Sequence, residues 1–357
     1  MKQGRNLAIL ANEIQSVAEL RQDFIAPSEK LRMRNDGILE VTKPNLRELF
    51  NLNDIAHQGI ARRLDIPKPY YDRMRAEAPG LLSSNVNTWF QDGGERHMLR
   101  TLANPDPGTL PTCRAILSER YRVIDNDFVL DSLMPVLAEQ NDMIIESSEI
   151  TPTKFYLKCR FPSLEREFKL HDPVQSGVII TNSEVGFGAA SVSLLIYTLK
   201  CTNGMILPST AFSKRKNHVG RVQEHDKNFR LITSDATRIL EDKAFLSTLA
   251  DVIRTASDPD EWVKVTDMIE AANSRDITGN VERTVENVTQ KMGLLQAEGE
   301  SMLEFLARGG DYTQWGLASA VTAMAQEVDT YDRSTELERI GGRIIELNTS
   351  EFERIAA

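Results

Sequence analysis

The chain has 357 residues, which is enough to bury a substantial core and to form two or three domains. Hydrophobic residues make up 41% and charged residues 26%, as in ordinary globular proteins, and no apolar run approaches the roughly 20 residues that span a membrane. The net charge of −10 argues against a protein that coats nucleic acid indiscriminately. The charge is uneven, however: residues 251–357 carry 10 basic and 21 acidic groups, whereas residues 151–250 carry 14 and 9, which leaves room for a local basic groove.

Two further features indicate the compartment. The N-terminal stretch MKQGRNLAILANEIQ turns polar after about four apolar residues, unlike the longer apolar core of a signal peptide. The three cysteines, Cys113, Cys159 and Cys201, are widely spaced and odd in number, so a disulfide framework is not expected. We therefore expect a cytoplasmic protein with no membrane partner.

Residues 1–95 are predicted to form an N-terminal, mainly helical segment. The stretch NLNDIAHQGIARRLDIPKPYYDRM places Ile55, Ile60 and Leu64 at helical spacing and then stops at Pro67, before a second short helix. The pair resembles a helix-turn-helix in outline, although most short helical pairs are only scaffolding.

Residues 96–210 are predicted to be an α+β core. The stretch DNDFVLDSLMPVLAEQ, at 125–140, has capping residues and an apolar stripe and predicts a helix. The stretches MIIESSEI, KFYLKCRFP, SGVIITNSE and AASVSLLIYTLKC follow it and predict three or four successive strands. The predicted fold is therefore α+β, a central antiparallel sheet with a helix packed on one face. It is flanked by the N-terminal helical segment and, over 211–357, by a basic loop and an acidic helical region.

The strand KFYLKCRF, at 154–161, carries the main candidate site. Because side chains alternate along a strand, one face holds three cations and a ring, namely Lys154, Tyr156, Lys158 and Arg160. Repeated cations neutralise phosphates, and an interleaved ring can stack on an unpaired base. The alternative is an ordinary solvated outer face of an antiparallel sheet.

A basic loop after this sheet could extend the site. The candidate phosphate contacts there are Lys200, Lys214, Arg215, Lys216 and Arg221. The loop would form one positive groove with the strand if the two are adjacent, and otherwise it is a solvated connector. A zinc site made from Cys201, His218 and His225 is disfavoured, because zinc usually takes closely paired ligands.

The sequence contains few motifs that indicate catalysis. The chain has no phosphate-binding P-loop, no dinucleotide-binding glycine motif and no nucleophile elbow, so we expect no cofactor. Glu167 and Lys169 have the Glu-x-Lys form of many magnesium-dependent nucleases, with Asp142 or Glu149 as a second carboxylate. A metal-dependent nuclease is therefore the enzymatic alternative. The stretch TNSEVGFGAASV, at 181–192, favours a structural hairpin over a ligand loop.

Several stretches together resemble a known family. They are LSERYRVIDN (117–126), TNSEVGFGA (181–189), LKCTNGM (199–205) with His218 behind it, ARRLDIPKPYYDRM, and GLASAVTAMAQEVDTYDRSTELERIGG. The similar family is a phage- and plasmid-associated domain of unknown function, number nine-three-two. The resemblance covers about residues 45 to 345 and implies a mobile element in a bacterial host, but no reaction.

A looser resemblance concerns the order RYRVIDNDFVLDSL, IIESSEI, KFYLKCRF and SGVIITNSEVGFG. This order is similar to the core of ring-forming single-strand annealing proteins of the RecT and Erf types and their eukaryotic counterpart. The resemblance implies ATP-independent binding of single-stranded DNA in a basic groove around an oligomeric ring. The acidic net charge and the strand-like stretch AASVSLLIYTLKC, where that family has a long helix, depart from its pattern.

The leading hypothesis is a single-stranded nucleic-acid-binding protein, for DNA or RNA, that promotes annealing or protection in recombination or replication. It predicts a homo-oligomer and no cofactor. The further alternative is a non-catalytic interaction protein whose acidic C-terminal helices bind a protein partner.

Overall fold

The fold is taken from a computed structural model of the chain. It describes residues 1–140, 142–169, 172–199, 202–208, 213–217 and 235–356. Helices and strands are both abundant and the strands form two sheets, so the predicted α+β class is confirmed. No helix among the described residues combines the length and the apolar character needed to cross a membrane.

The strands and helices alternate in blocks along the chain. The strands are β1 (Phe24–Pro27), β2 (Leu31–Met33), β3 (Leu39–Lys43), β4 (Leu46–Leu52), β5 (Arg96–Leu102), β6 (Thr112–Ser118), β7 (Ile144–Ile150), β8 (Phe155–Lys169), β9 (Asp172–Asn182), β10 (Ala189–Thr198), β11 (Asn203–Ile206) and β12 (Ser213–Asn217). The helices are α1 (Leu7–Leu20), α2 (Asp54–Arg63), α3 (Lys68–Glu77), α4 (Pro79–Asp92), α5 (Asn126–Ala138), α6 (Asp235–Ala256), α7 (Pro259–Asn273), α8 (Val281–Met292), α9 (Gln296–Gly309), α10 (Gln314–Met324), α11 (Tyr331–Ile345) and α12 (Thr349–Ala356).

The first sheet has the strand order β1-β5-β6-β4-β3-β2. Its apolar face packs with α2, α3 and α4 around buried residues such as Phe50, Tyr71 and Phe90. The predicted helices of the N-terminal segment are present, but its four strands β1–β4 were missed. The domain boundary predicted at residue 95 is wrong, because β5 and β6 pair with β1 and β4 of the first sheet instead of joining the second sheet.

The second sheet is antiparallel, with the strand order β11-β10-β9-β8-β7, and β12 pairs with β10 beside β11. It contains the strands predicted from MIIESSEI, KFYLKCRFP, SGVIITNSE and AASVSLLIYTLKC. The helix predicted at 125–140 is α5, and its apolar stripe, including Val129 and Leu133, is buried in the largest core cluster. The predicted central sheet with a helix on one face is therefore confirmed.

Helices cover this second sheet on both faces. Phe155, Leu157 and Cys159 of β8 join α5 and α6 in the largest core on one face. On the other face Tyr156 of β8 packs in a separate cluster with Tyr331 of α11. The acidic C-terminal helices therefore form part of the same folded body as the sheet, and α11 occupies the face predicted to be open.

Capping residues mark the ends of several C-terminal helices. Asn280 and Thr330 accept hydrogen bonds from backbone N–H groups in the first turns of α8 and α11, which satisfies donors that have no partner within the helix. Gly310 follows α9 in the left-handed conformation (φ 65°), which glycine adopts without steric cost. The predicted helical character of the C-terminal region is confirmed for residues 235–356.

Candidate functional site

The strand face assigned to nucleic acid by its alternation is covered in the structure. Lys158 has no exposed side-chain surface, and its Nζ donates a hydrogen bond to Oε2 of Glu338 at 2.5 Å. Burial lowers the pKa of Lys158, and the carboxylate of Glu338 acts in the opposite direction. The expectation that Lys158 is open to a phosphate is wrong, because α11 lies over this part of β8.

Tyr156 and Arg160 are also engaged within the protein. Tyr156 is 2% exposed, and its hydroxyl donates to Asp332 at 2.8 Å. Burial is the main cause that raises the pKa of Tyr156, so its hydroxyl stays protonated. Arg160 forms an ion pair with Glu146 and donates to Gln175 at 2.8 Å. The expected stacking role of Tyr156 is wrong, because its ring is enclosed. Arg160 already has an acidic partner, Glu146.

Lys154 is placed differently, because it lines a cleft of about 610 Å³ between the second sheet and α11. The floor of the cleft is a row of residues paired across three strands, in which Tyr156 faces Thr181 and Thr181 faces Ser191. The hydroxyls of Thr181 and Ser191 are 2.7 Å apart and hydrogen-bonded. Phe187, in the turn between β9 and β10, is half-buried and lines the same cleft.

Helix α11 forms the opposite wall and crosses the sheet. At its start the hydroxyl of Tyr331 lies 2.7 Å from that of Ser147 in β7. Near its end Gly342 lies so close to the backbone of Ile206 in β11 that a Cβ there would overlap the Ile206 carbonyl. The C-terminal half of α11 therefore lies toward the edge of the sheet where β10 meets β11 and β12.

The side chains of α11 make the cleft bipolar. Asp332 and Glu336 line it from the first half of the helix, and Arg339 and Arg343 line it from the second half. Their spacing of three and four residues places all four on one helical face. Arg343 is exposed, and among the described residues no carboxylate lies within ion-pair distance of it or of Lys154. The basic half is therefore the part suited to an anion.

The acidic half is largely satisfied by the protein itself. Asp332 accepts hydrogen bonds from three hydroxyl groups, those of Thr151, Thr153 and Tyr156. Glu336 is 2.6 Å from Arg333, which also pairs with Glu298 at 2.5 Å. These contacts fix the start of α11 over the sheet and neutralise part of its negative charge.

The sequence left open whether the basic loop adjoins the candidate strand β8. In the structure its strand β12 pairs with β10, and β9 lies between β10 and β8. Arg215 pairs with Ser191, and Asn217 pairs with Ala189, so β12 lies directly beside the floor of the cleft. Lys216 pairs with Ala190 in the same ladder. Lys214 is exposed and lines a separate small cavity with residues of α6, which places it away from the cleft. Some predicted residues lie outside the described part of the chain, and so do the predictions made for them: Lys200, Arg221, Cys201, His218 and His225.

The carboxylates of the nuclease alternative do not come together. Glu149 pairs with Tyr156 across the β7–β8 ladder, whereas Glu167 lies eleven residues farther along β8, roughly 35 Å away at the rise of a strand. Glu149 is ion-paired with Arg5, and Asp142 accepts a hydrogen bond from the Ser163 backbone. Within the described ranges, no group of three or more His, Cys, Asp or Glu side chains could hold a metal.

The stretch TNSEVGFGAASV forms the hairpin turn between β9 and β10. Glu184 within it forms a buried ion pair with Arg114 and accepts a hydrogen bond from the Asn126 backbone at 2.7 Å, at the start of α5. Its carbonyl accepts from Arg100 at 2.8 Å. Gly186 has φ of 86°, where a side chain would be strained. The turn joins the two sheets and also carries Phe187 to the cleft.

Sequence reasoning missed the contributions of α11 to the site. Arg339 and Arg343 looked like ordinary surface charges of an acidic helical region. A signal was nonetheless present, because Glu338 falls on the apolar stripe of α11 with Ser334, Gly341 and Ile345. A charge on a buried stripe requires a buried partner, and Lys158 is that partner.

Comparison of the chain with protein-family models, with curated proteins and with solved structures gave no match.

Proposed function

We propose that this protein binds single-stranded nucleic acid without ATP, at a surface formed by the basic half of the α11 cleft and the adjoining strand β12. The supporting observation is that Ser191 and Ala189, in the floor of the cleft, are paired with Arg215 and Asn217 of β12. The basic loop thus contributes one cation, Arg215, at a position directly beside this floor.

The charge of this surface suits a phosphate backbone. Lys154, Arg339 and Arg343 line the cleft, and Arg215 of β12 is paired with Ser191 in its floor. Each phosphate that such cations neutralise releases condensed counterions, which drives binding and makes it sensitive to salt. Phe187 supplies the aromatic surface that the enclosed ring of Tyr156 does not.

The shape of the surface favours single strands over duplex. A cleft of about 610 Å³ holds a group the size of a small ligand, as pockets of roughly 300–1,000 Å³ do in other proteins. An unpaired nucleotide can enter a cleft of this size, whereas a base stacked inside a duplex cannot reach it. Annealing or protection of strands, self-association into a ring and a protein partner for the acidic helices remain predictions within this proposal.

The experiment is fluorescence anisotropy of the full chain with a labelled single strand and with the matching duplex. The double variant Lys154→Gln/Arg343→Gln removes two cleft cations, and Lys291→Gln, at an exposed site in the last turn of α8, is the matched control. We expect the parent and the control to bind the single strand more tightly than the duplex and the double variant to bind at least tenfold more weakly. Equal binding by all three folded proteins would contradict the proposal.

A further inference from the structure

We infer that the α11 cleft is a subsite for one nucleotide, in which Thr335, Arg339 and Arg343 hold a phosphate group and Phe187 contacts the base. The inference rests on the proposed function in using the same cleft, and it adds the chemical class of ligand that the cleft recognises. A nucleoside monophosphate should therefore bind by itself, without a longer strand.

Thr335 provides an observation that is independent of the charges. It lines the cleft and is 2% exposed, and its hydroxyl has no hydrogen-bond partner among the described residues. A buried hydroxyl without a partner is unfavourable, and helical threonines usually satisfy theirs by bonding to a backbone carbonyl one turn earlier. Thr322 in α10, for example, donates to the backbone carbonyl of Ser319. A ligand oxygen in the cleft would give the Thr335 hydroxyl the acceptor that it lacks.

The position of Thr335 makes a phosphate the fitting acceptor. It lies one turn before Arg339 on α11, and Arg343 follows one turn later, so a hydroxyl donor and two guanidinium groups line one wall in sequence. Guanidinium groups present several N–H donors in a plane and bind phosphate oxygens in pairs. A phosphate accepts from all three groups and needs no donor of its own.

The side of the cleft formed by the turn between β9 and β10 suits a base. Phe187 of this turn lines the cleft while also packing against the cluster that includes Val185. The stem of Lys154 lies next to Gly188, where an added Cβ would be 3.2 Å from Lys154 Cε. An aromatic face beside a lysine can stack on a nucleobase and donate to its ring nitrogens or carbonyl oxygens.

The test is isothermal titration calorimetry of the full chain with three ligands: deoxyadenosine monophosphate, deoxyadenosine and inorganic phosphate. Because phosphate and base contacts act together, we expect the monophosphate to bind at least tenfold more tightly than either part. Inorganic phosphate that binds as tightly as the monophosphate would overturn the inference, and so would deoxyadenosine of equal affinity.

Variants connect the binding to the residues. Thr335→Val removes the hydroxyl and keeps the shape, so it should weaken monophosphate binding about tenfold, the size expected for one hydrogen bond to a charged group. The same change should leave the melting temperature of the free protein unchanged or higher, because an unpartnered buried hydroxyl is removed. Thr88→Val, at an exposed site on α4, is the control and should leave monophosphate binding unchanged. Unchanged monophosphate binding in Thr335→Val and in Arg343→Gln would overturn the inference.

The monophosphate titration and the single-strand anisotropy measurement together separate this inference from the proposed function. A single strand that binds while the monophosphate does not would overturn the nucleotide subsite and leave the proposed function standing. Failure of both ligands to bind would overturn both. Binding of both, with Thr335→Val weakening each, supports both.

Discussion

The Nζ atom of Lys158 lies 2.5 Å from Oε2 of Glu338, and neither side chain has exposed surface. This ion pair joins the first part of β8 to the middle of α11. Lys158, the cation at the centre of the predicted binding face, is therefore a structural residue. The residues that line the cleft between the sheet and α11 do not include Lys158 or Glu338. The Oε1 atom of Glu338 has no hydrogen-bond partner among the described residues.

The first prediction concerns this buried pair. Glu338→Gln leaves the ammonium of Lys158 buried without a counter-charge, so it should lower the free energy of unfolding by about 3–5 kcal/mol. The double variant Lys158→Met/Glu338→Leu removes both charges and should recover most of that loss, since apolar groups of similar volume replace a buried pair well. Urea unfolding of the three proteins measures the difference. A single variant as stable as the parent would show that α11 does not lie over Lys158.

The second prediction concerns the junction of the two sheets. Arg100 is fully buried, and its guanidinium donates to Asp23 at 2.9 Å and to Asp125 at 2.6 Å. Arg100→Gln leaves the largely buried Asp23 without its cation and leaves Asp125 with Arg21 alone, so it should destabilise the protein by about 3–5 kcal/mol. The control is Arg73→Gln, whose pair with Glu77 is largely exposed and should matter by less than about 0.5 kcal/mol. Similar losses in the two variants, measured by urea unfolding, would contradict the account of the junction.

The third prediction is a pH dependence of stability. Burial lowers the pKa of His57 and of His97 to about 4, and their rings are hydrogen-bonded to Tyr71 and Ser28. The ordinary pKa is 6.5, so the unfolded chain takes up protons between pH 6.5 and 4 while the folded rings stay neutral. Their contribution to stability is therefore complete above pH 6.5 and is lost as the pH falls toward 4.

The measurement is urea unfolding of the parent and of His97→Gln at several pH values in this range. The variant should lose less stability than the parent between pH 6.5 and 4, because one of the two proton-uptake sites is absent. Parallel pH profiles would show that His97 titrates normally in the folded protein.

The fourth prediction tests the close approach of α11 and β11. A Cβ at Gly342 would overlap the carbonyl oxygen of Ile206, whereas a Cβ at Gly309, in α9, meets nothing within 4 Å. Gly342→Ala should lower the free energy of unfolding by at least about 2 kcal/mol through overpacking. Gly309→Ala should leave it unchanged or raise it by up to about 1 kcal/mol, because alanine favours a helix. Thermal unfolding distinguishes them, and equal effects would contradict the close packing.

Local patterns in the sequence were sufficient for much of the fold. The alternation in KFYLKCRF assigned Phe155 and Leu157 to one face and Tyr156 and Lys158 to the other, as the structure has it. Capping candidates and an apolar stripe likewise predicted α5. These features depend on neighbours along the chain, which a single sequence displays.

The environment of those faces could not be predicted in the same way. Alternation shows that Lys158 and Leu157 point in opposite directions, but not that Glu338, 180 residues away, covers the polar side. The four strands β1–β4 were missed because they are short and lie before strong helical signals. The same distinction applies to the site. Lys154 was predicted from the alternation of its strand, whereas Thr335, Arg339 and Arg343 could be assigned only once the packing of α11 was known.

The central claim is that the cleft and β12 form one phosphate-binding surface, and the salt dependence of single-strand binding tests it most directly. The logarithm of the binding constant should fall linearly with the logarithm of salt concentration, with a slope of about −0.7 for each phosphate neutralised. Lys154→Gln/Arg343→Gln should make this slope shallower by about 1.4, and adding Arg215→Gln should reduce it by about 0.7 more. Lys291→Gln should leave it unchanged. Slopes that are the same in all four proteins, or no single-strand binding at low salt, would contradict the account.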